Sequence, residues 1–147
     1  MLPERRLKFA DFGTYTVPAT LTVRAGMPLT LDATDVSPAT EDFPNAREAV
    51  ADTTIVFAIA KGAPGVSYAA AAQFEATHLF TSVEWVLVGT GGADRGSRAV
   101  AAADGLTNAP ANGNATTRIH SPGIFLASGV VGDFVPLAIM PCGLNKT

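Results

Sequence analysis

The residues able to do chemistry in this chain are few and scattered. Its only histidines are His78 and His120, and neither has a second His or Cys at a metal-ligand spacing. A zinc site therefore has no support. His120 and Ser121 are adjacent, which in extended backbone puts their side chains on opposite faces. A Ser/His/Asp triad would have to be assembled from distant residues that nothing marks, so His120 reads as an ordinary loop histidine. The carboxylates Asp11, Asp32, Asp35, Asp42, Asp104 and Asp133 form no pair or loop of the glycosidase or calcium type. The segment Gly89-Thr90-Gly91-Gly92-Ala93-Asp94-Arg95-Gly96 invites a phosphate-loop reading. However, Asp94 stands where the dinucleotide pattern has its third glycine, the Walker Gly-Lys-Ser/Thr ending is missing, and no amphipathic helix follows. A wide β-turn is the better reading. The expectation is a protein without catalysis, metal or cofactor.

Composition excludes further classes. Across 147 residues the net charge is −3, and the only basic cluster is Arg5, Arg6 and Lys8. Nucleic-acid binding would need a basic stripe, so no nucleic-acid partner is expected. Asp133 and Pro136 interrupt the longest apolar stretch, Gly123 to Met140, which rules it out as a membrane span. Cys142 is alone and reads as a plain small residue, so no disulfide framework is implied. Charges occupy the N-terminus where a signal peptide would be apolar, so a soluble protein made in the cytoplasm is expected. On that reading the sequons at Asn114 and Asn145 are chance matches.

The elements that position these residues are short. With 14 Gly and 10 Pro in a 48% hydrophobic chain, many brief strands joined by tight turns are expected. Residues 1–18 read as an N-terminal arm, carrying Arg5, Arg6 and Lys8, then Phe9, Phe12 and Tyr15, and ending at Pro18. Residues 19–147 read as a single β domain, either a compact β-barrel or a β-sandwich. Strands are expected at Thr20–Arg24, Leu29–Asp32, Thr54–Ala60, Val83–Val88 and Ser97–Ala102, and then at Gly123–Ser128 and Asp133–Met140. Ala103-Asp104-Gly105 reads as a hairpin turn. Asp35 to Asp52 reads as a long loop holding a helical turn or two over 45–51, and Tyr68 to Ala76, with four consecutive alanines, as a short helix. In the strand at 83–88, Val83, Trp85 and Leu87 share one face, and Trp85 reads as a core residue. Pro136 places the last strand at an edge or on a bulge.

The halves of the chain resemble each other. Val56 to Gly65 aligns without gaps on Gly123 to Gly132, each an apolar strand followed by Ala-x-Gly-x-x-Gly. Arg24-Ala25-Gly26 precedes the first copy by about the distance that Asp94-Arg95-Gly96 precedes the second. A weak internal duplication is consistent with this pattern.

From Val83 to Met140 the order is Val-Glu-Trp-Val-Leu-Val-Gly, then Gly-Ala-Asp-Arg-Gly-Ser-Arg-Ala-Val-Ala-Ala-Ala-Asp-Gly. After a variable loop it ends Gly-Ile-Phe-Leu-Ala-Ser-Gly-Val-Val-Gly-Asp-Phe-Val-Pro-Leu-Ala-Ile-Met. This resembles the small capsid decoration (cement) proteins of tailed bacteriophages. The first half resembles them more loosely, and the N-terminal arm and the Asp35 to Asp52 insertion depart from the pattern. The resemblance implies a non-enzymatic homotrimer on the exterior of the virion, bound to the major capsid protein of the expanded head and stabilising it by bridging capsomers. Arg5, Arg6, Lys8, Phe9, Phe12 and Tyr15 are the candidate contacts to the capsid or a neighbouring subunit. Competing readings are a carbohydrate- or host-surface-binding β module, a small hydrolase, and a structural protein of the tail or head–tail junction.

Overall fold

The computed structural model describes residues 12–32, 43–80, 83–110 and 116–145, and among them it contains strands and no helix. Twelve strands follow in chain order: β1 Phe12–Thr16, β2 Val23–Arg24, β3 Pro28–Leu31, β4 Ala46–Glu48, β5 Ala58–Ala60, β6 Ser67–Tyr68, β7 Gln73–His78, β8 Val83–Leu87, β9 Arg98–Ala102, β10 Gly105–Asn108, β11 Arg118–Phe125 and β12 Phe134–Asn145. The fold is mainly β, as expected.

The two halves build the same sheet. The first has the order β1-β7-β5-β3-β4 and the second β8-β12-β11-β9-β10, with neighbouring strands antiparallel throughout both. Registers correspond as well. The row Pro28, Ile59, Thr77, Phe12 across the first sheet matches the row Arg98, Ile124, Ala138, Val83 across the second. Each sheet curls until its edge strands meet at a single parallel bridge, Thr16 with Asn45 and Val88 with Leu106, short of a closed barrel. A small antiparallel pair, β2 with β6, lies beside the first sheet.

Side-chain chemistry repeats with the backbone. The Arg24 amide donates to Glu48 Oε1 at 2.8 Å while the guanidinium donates to both carboxylate oxygens at 2.9 and 2.7 Å. At the matching positions the Asp94 amide donates to Asn108 Oδ1 and Asn108 Nδ2 donates to Asp94 Oδ2, both at 2.9 Å. Inner-face residues trade volume between copies. Ala60 and Phe74 in the first core match Phe125 and Val135 in the second, and Leu29 matches Ala99 while Ala46 matches Leu106. Moving bulk among neighbouring positions keeps each small core filled.

Several expectations are corrected. Tyr68 to Ala76 is not a helix. Ala71 takes a left-handed φ of 65°, and Ala71 and Ala72 pair with Val17 before β7 begins. A run this short cannot nucleate a helix against that pairing. The helical turn expected over 45–51 is replaced by β4, because residues 46–48 are drawn onto β3. Thr20 sits in a left-handed turn with φ 70°, which shortens the strand expected over 20–24 to β2. The run at 54–60 contributes only Ala58–Ala60, and Ile55 is exposed. Pro136 lies on β12, which runs between β11 and β8, and the register shift falls at Ser121/Gly123. Its carbonyl accepts from Leu126, just past the end of β11, so the missing amide falls where that ladder stops.

The gapless alignment of Val56 to Gly65 on Gly123 to Gly132 is corrected by the fold, at the turn and in the strand alike. Gly132 corresponds to Ala71 rather than to Gly65: both turn at left-handed φ, 91° and 65°, and Gly132 N donates to Val88 O as Ala71 N does to Val17 O. Pairing shows that Ile59 corresponds to Ile124, two residues before the position given by the alignment. A slip of two preserves the face, so the apolar pattern alone cannot detect it.

Candidate interaction surface

The expected N-terminal arm is partly body. Phe12–Thr16 is an edge strand of the first sheet, and Tyr15 packs on its own half, 5.2 Å from the Phe57 ring and 6.4 Å from Phe74. Its hydroxyl meets His78 Nε2 at 2.5 Å, and burial pushes the phenol pKa up. Phe12 stays half exposed on the outer face, with Lys61 Nζ 5.0 Å from its ring centroid. Arg5, Arg6, Lys8 and Phe9 lie outside the described residues.

The candidate chemical residues take structural partners. Ser121 is buried and its hydroxyl donates to Gly123 O at 3.1 Å, while the neighbouring His120 amide donates to Asp52 O at 2.8 Å. Thr90 donates to Asp104 through its amide at 2.9 Å and its hydroxyl at 2.5 Å. Those bonds hold the Asp104 carboxyl below its ordinary value and tie the Gly89–Gly92 turn to the β9–β10 hairpin. Among the described residues no three His, Cys, Asp or Glu side chains gather where they could hold a metal ion.

What the sequence reading missed is an apolar outer face. Val83, Trp85 and Leu87 do share one face of β8, but the core lies on the other side, at Val86 and Val88. Trp85, expected in the core, is 56% exposed. Alternation fixes which residues travel together and leaves open which set is inside. Trp85 pairs with Pro136, Val83 with Ala138, and Ala138 with Ile124. Leu126, beside Pro136, and Met140 are also exposed. The result is one apolar patch across β8, β12 and β11, of the kind that marks an interaction site. Along its margin runs a groove of about 540 Å³ lined by Lys61, Gly62, Pro64, Glu84, Trp85 and Phe134.

No protein-family model, curated protein or solved structure matches the chain.

The halves meet through a polar and apolar junction. Ala49, Val56 and Ile59 of the first half belong to the core cluster of the second. Thr77 Oγ1 donates to Glu84 Oε2 at 2.6 Å, Leu87 N to Gly26 O at 3.0 Å, and Arg24 Nη2 to Ala103 O at 3.0 Å.

Proposed function

We propose that the protein decorates the exterior of a tailed-phage head, binding the major capsid protein of the expanded shell and stabilising it mechanically, without catalysis or cofactor. What supports this reading is that the resembling segment forms a structural unit of its own. The segment resembling decoration proteins, Val83 to Met140, spans nearly all of one sheet, β8 to β12, and the first half repeats its strand order. A site complete only on the expanded shell would stabilise that state by linkage. The bound form is read as a homotrimer.

Gold labelling of intact virions tests the assignment. Label over the head surface is expected; label at the tail or head–tail junction, or none on the particle, would overturn it.

One observation favours a second reading. Trp85 is exposed beside Lys61 and Glu84, as an adhesion module for carbohydrate or host surface would require. Its other neighbours, Leu126 and Pro136, lack the polar groups that orient a sugar. Glycan-array binding lost in Trp85→Ala would establish this reading.

A further inference from the structure

The correspondence between the halves exposes an asymmetry. In the first sheet the outer row Pro28, Ile59, Thr77 is buried, with Ile59 at 0% and Thr77 at 4% exposure, because the second half covers it. The equivalent row of the second sheet, Arg98, Ile124, Ala138, is not buried. Leu79 packs against the second core, whereas its counterpart Met140 is exposed.

The adjoining row differs in chemistry. In the first half it is Lys61, Glu75 and Thr14, residues suited to water. In the second half the same positions hold Leu126, Pro136 and Trp85. An apolar replacement at three neighbouring surface positions points to a surface that is covered.

The chain also carries the matching counter-surface. Val86 and Ile139 share the cluster that receives Ile59. Their counterparts in the first half, Tyr15 and His78, are only half buried, and Phe80 beyond His78 is exposed with its ring 5.3 Å away. The polar pair of the internal junction is replaced on both sides together. Thr77 becomes Ala138 and Glu84 becomes Gly13, so an equivalent junction strands neither a hydroxyl nor a carboxylate.

We infer that the outer face of the second sheet, centred on Trp85, Leu126 and Ala138, binds the Tyr15–His78–Phe80 end of another copy of this chain, repeating between molecules the junction that joins the halves within one. Such an interface is head-to-tail, so it closes into a ring or propagates. The inference goes beyond the decoration reading and stands or falls separately from it.

The test uses two variants of the full chain. Trp85→Thr/Leu126→Lys installs on the face the residues that the first half carries there, and Phe80→Asp charges the opposite end at an exposed position. By sedimentation equilibrium, wild type should exceed monomer mass with a Kd below ~100 µM. Trp85, the only tryptophan, should shift its emission to the blue as concentration rises. Each variant alone should be monomeric, and because Phe80→Asp keeps the face while Trp85→Thr/Leu126→Lys keeps the end, their equimolar mixture should form a dimer through one intact junction. A wild type that stays monomeric throughout this range, or a mixture that does not associate, would overturn the inference. So would loss of head binding in the face variant with a monomeric wild type, which would assign the face to another partner.

Discussion

At the scale of single residues, two glycines separate backbone strain from packing. Gly26 and Gly96 occupy matching turns with φ of 82° and 89°. A Cβ at Gly96 would meet nothing within 4 Å, whereas one at Gly26 would come within 2.6 Å of Leu87 N and 2.7 Å of Phe134 Cζ. Gly96→Ala should therefore cost only the left-handed penalty, about 1–2 kcal/mol. Gly26→Ala should cost clearly more, since the junction between the halves must also open. Chemical denaturation of both variants measures the difference, and equal losses would count against the junction. A second residue-scale prediction concerns acid. The Thr90 bonds depress the Asp104 carboxyl, so its contribution to stability is present above the unfolded carboxylate value and is lost as pH falls through the lower folded value. Asp104→Asn should lower the melting temperature at neutral pH, and the gap from wild type should narrow below about pH 4. A gap independent of pH would show that the charge is not what Thr90 holds.

At the scale of elements, the arm divides where β1 starts. Deleting residues 2–11 removes Arg5, Arg6, Lys8 and Phe9 and leaves β1, so the body should fold and bind heads more weakly. Deletion through residue 17 also removes β1, together with Tyr15 and the buried Val17, and should abolish cooperative unfolding. Circular dichroism melts distinguish the two, and a stable body lacking residues 2–17 would return β1 to the arm. The Arg24–Glu48 contact gives a further prediction. Glu48→Ala leaves the Arg24 amide without its acceptor and the half-buried guanidinium with Ala103 O alone, and should cost about 1–3 kcal/mol by denaturant titration. Arg95→Ala, at an exposed arginine, serves as the control, and a similar loss there would undercut the assignment. Much at this scale was legible in sequence. Arg98–Ala102, the Ala103-Asp104 turn and the start of β12 follow from short apolar runs and glycine punctuation, whereas the strand expected over Gly123–Ser128 is β11, Arg118–Phe125, which begins earlier and ends at Phe125. The alanine run before β7 was not legible, because its pairing with Val17 is a long-range contact that local propensity does not report.

At the scale of the whole molecule, the duplication was visible in sequence at one glycine turn, Gly26 and Gly96, while the Ala-x-Gly-x-x-Gly match sets Gly132 on Gly65 where the fold sets it on Ala71. Nothing in the pattern could show that both halves share one strand order, since pairing is set by partners distant in the chain. The candidate surface was the least legible part. Trp85 alternates with Val86 as a core residue would, and only the packing of Val86 and Val88 identifies the inner side. The proposed function has this two-unit body attach to the outside of an expanded head. The most direct measurement incubates purified protein with expanded heads and with unexpanded precursor heads of the same phage, and follows cosedimentation. Saturable binding to expanded heads with little on precursors is the predicted result; equal binding to both, or none to expanded heads, would contradict it.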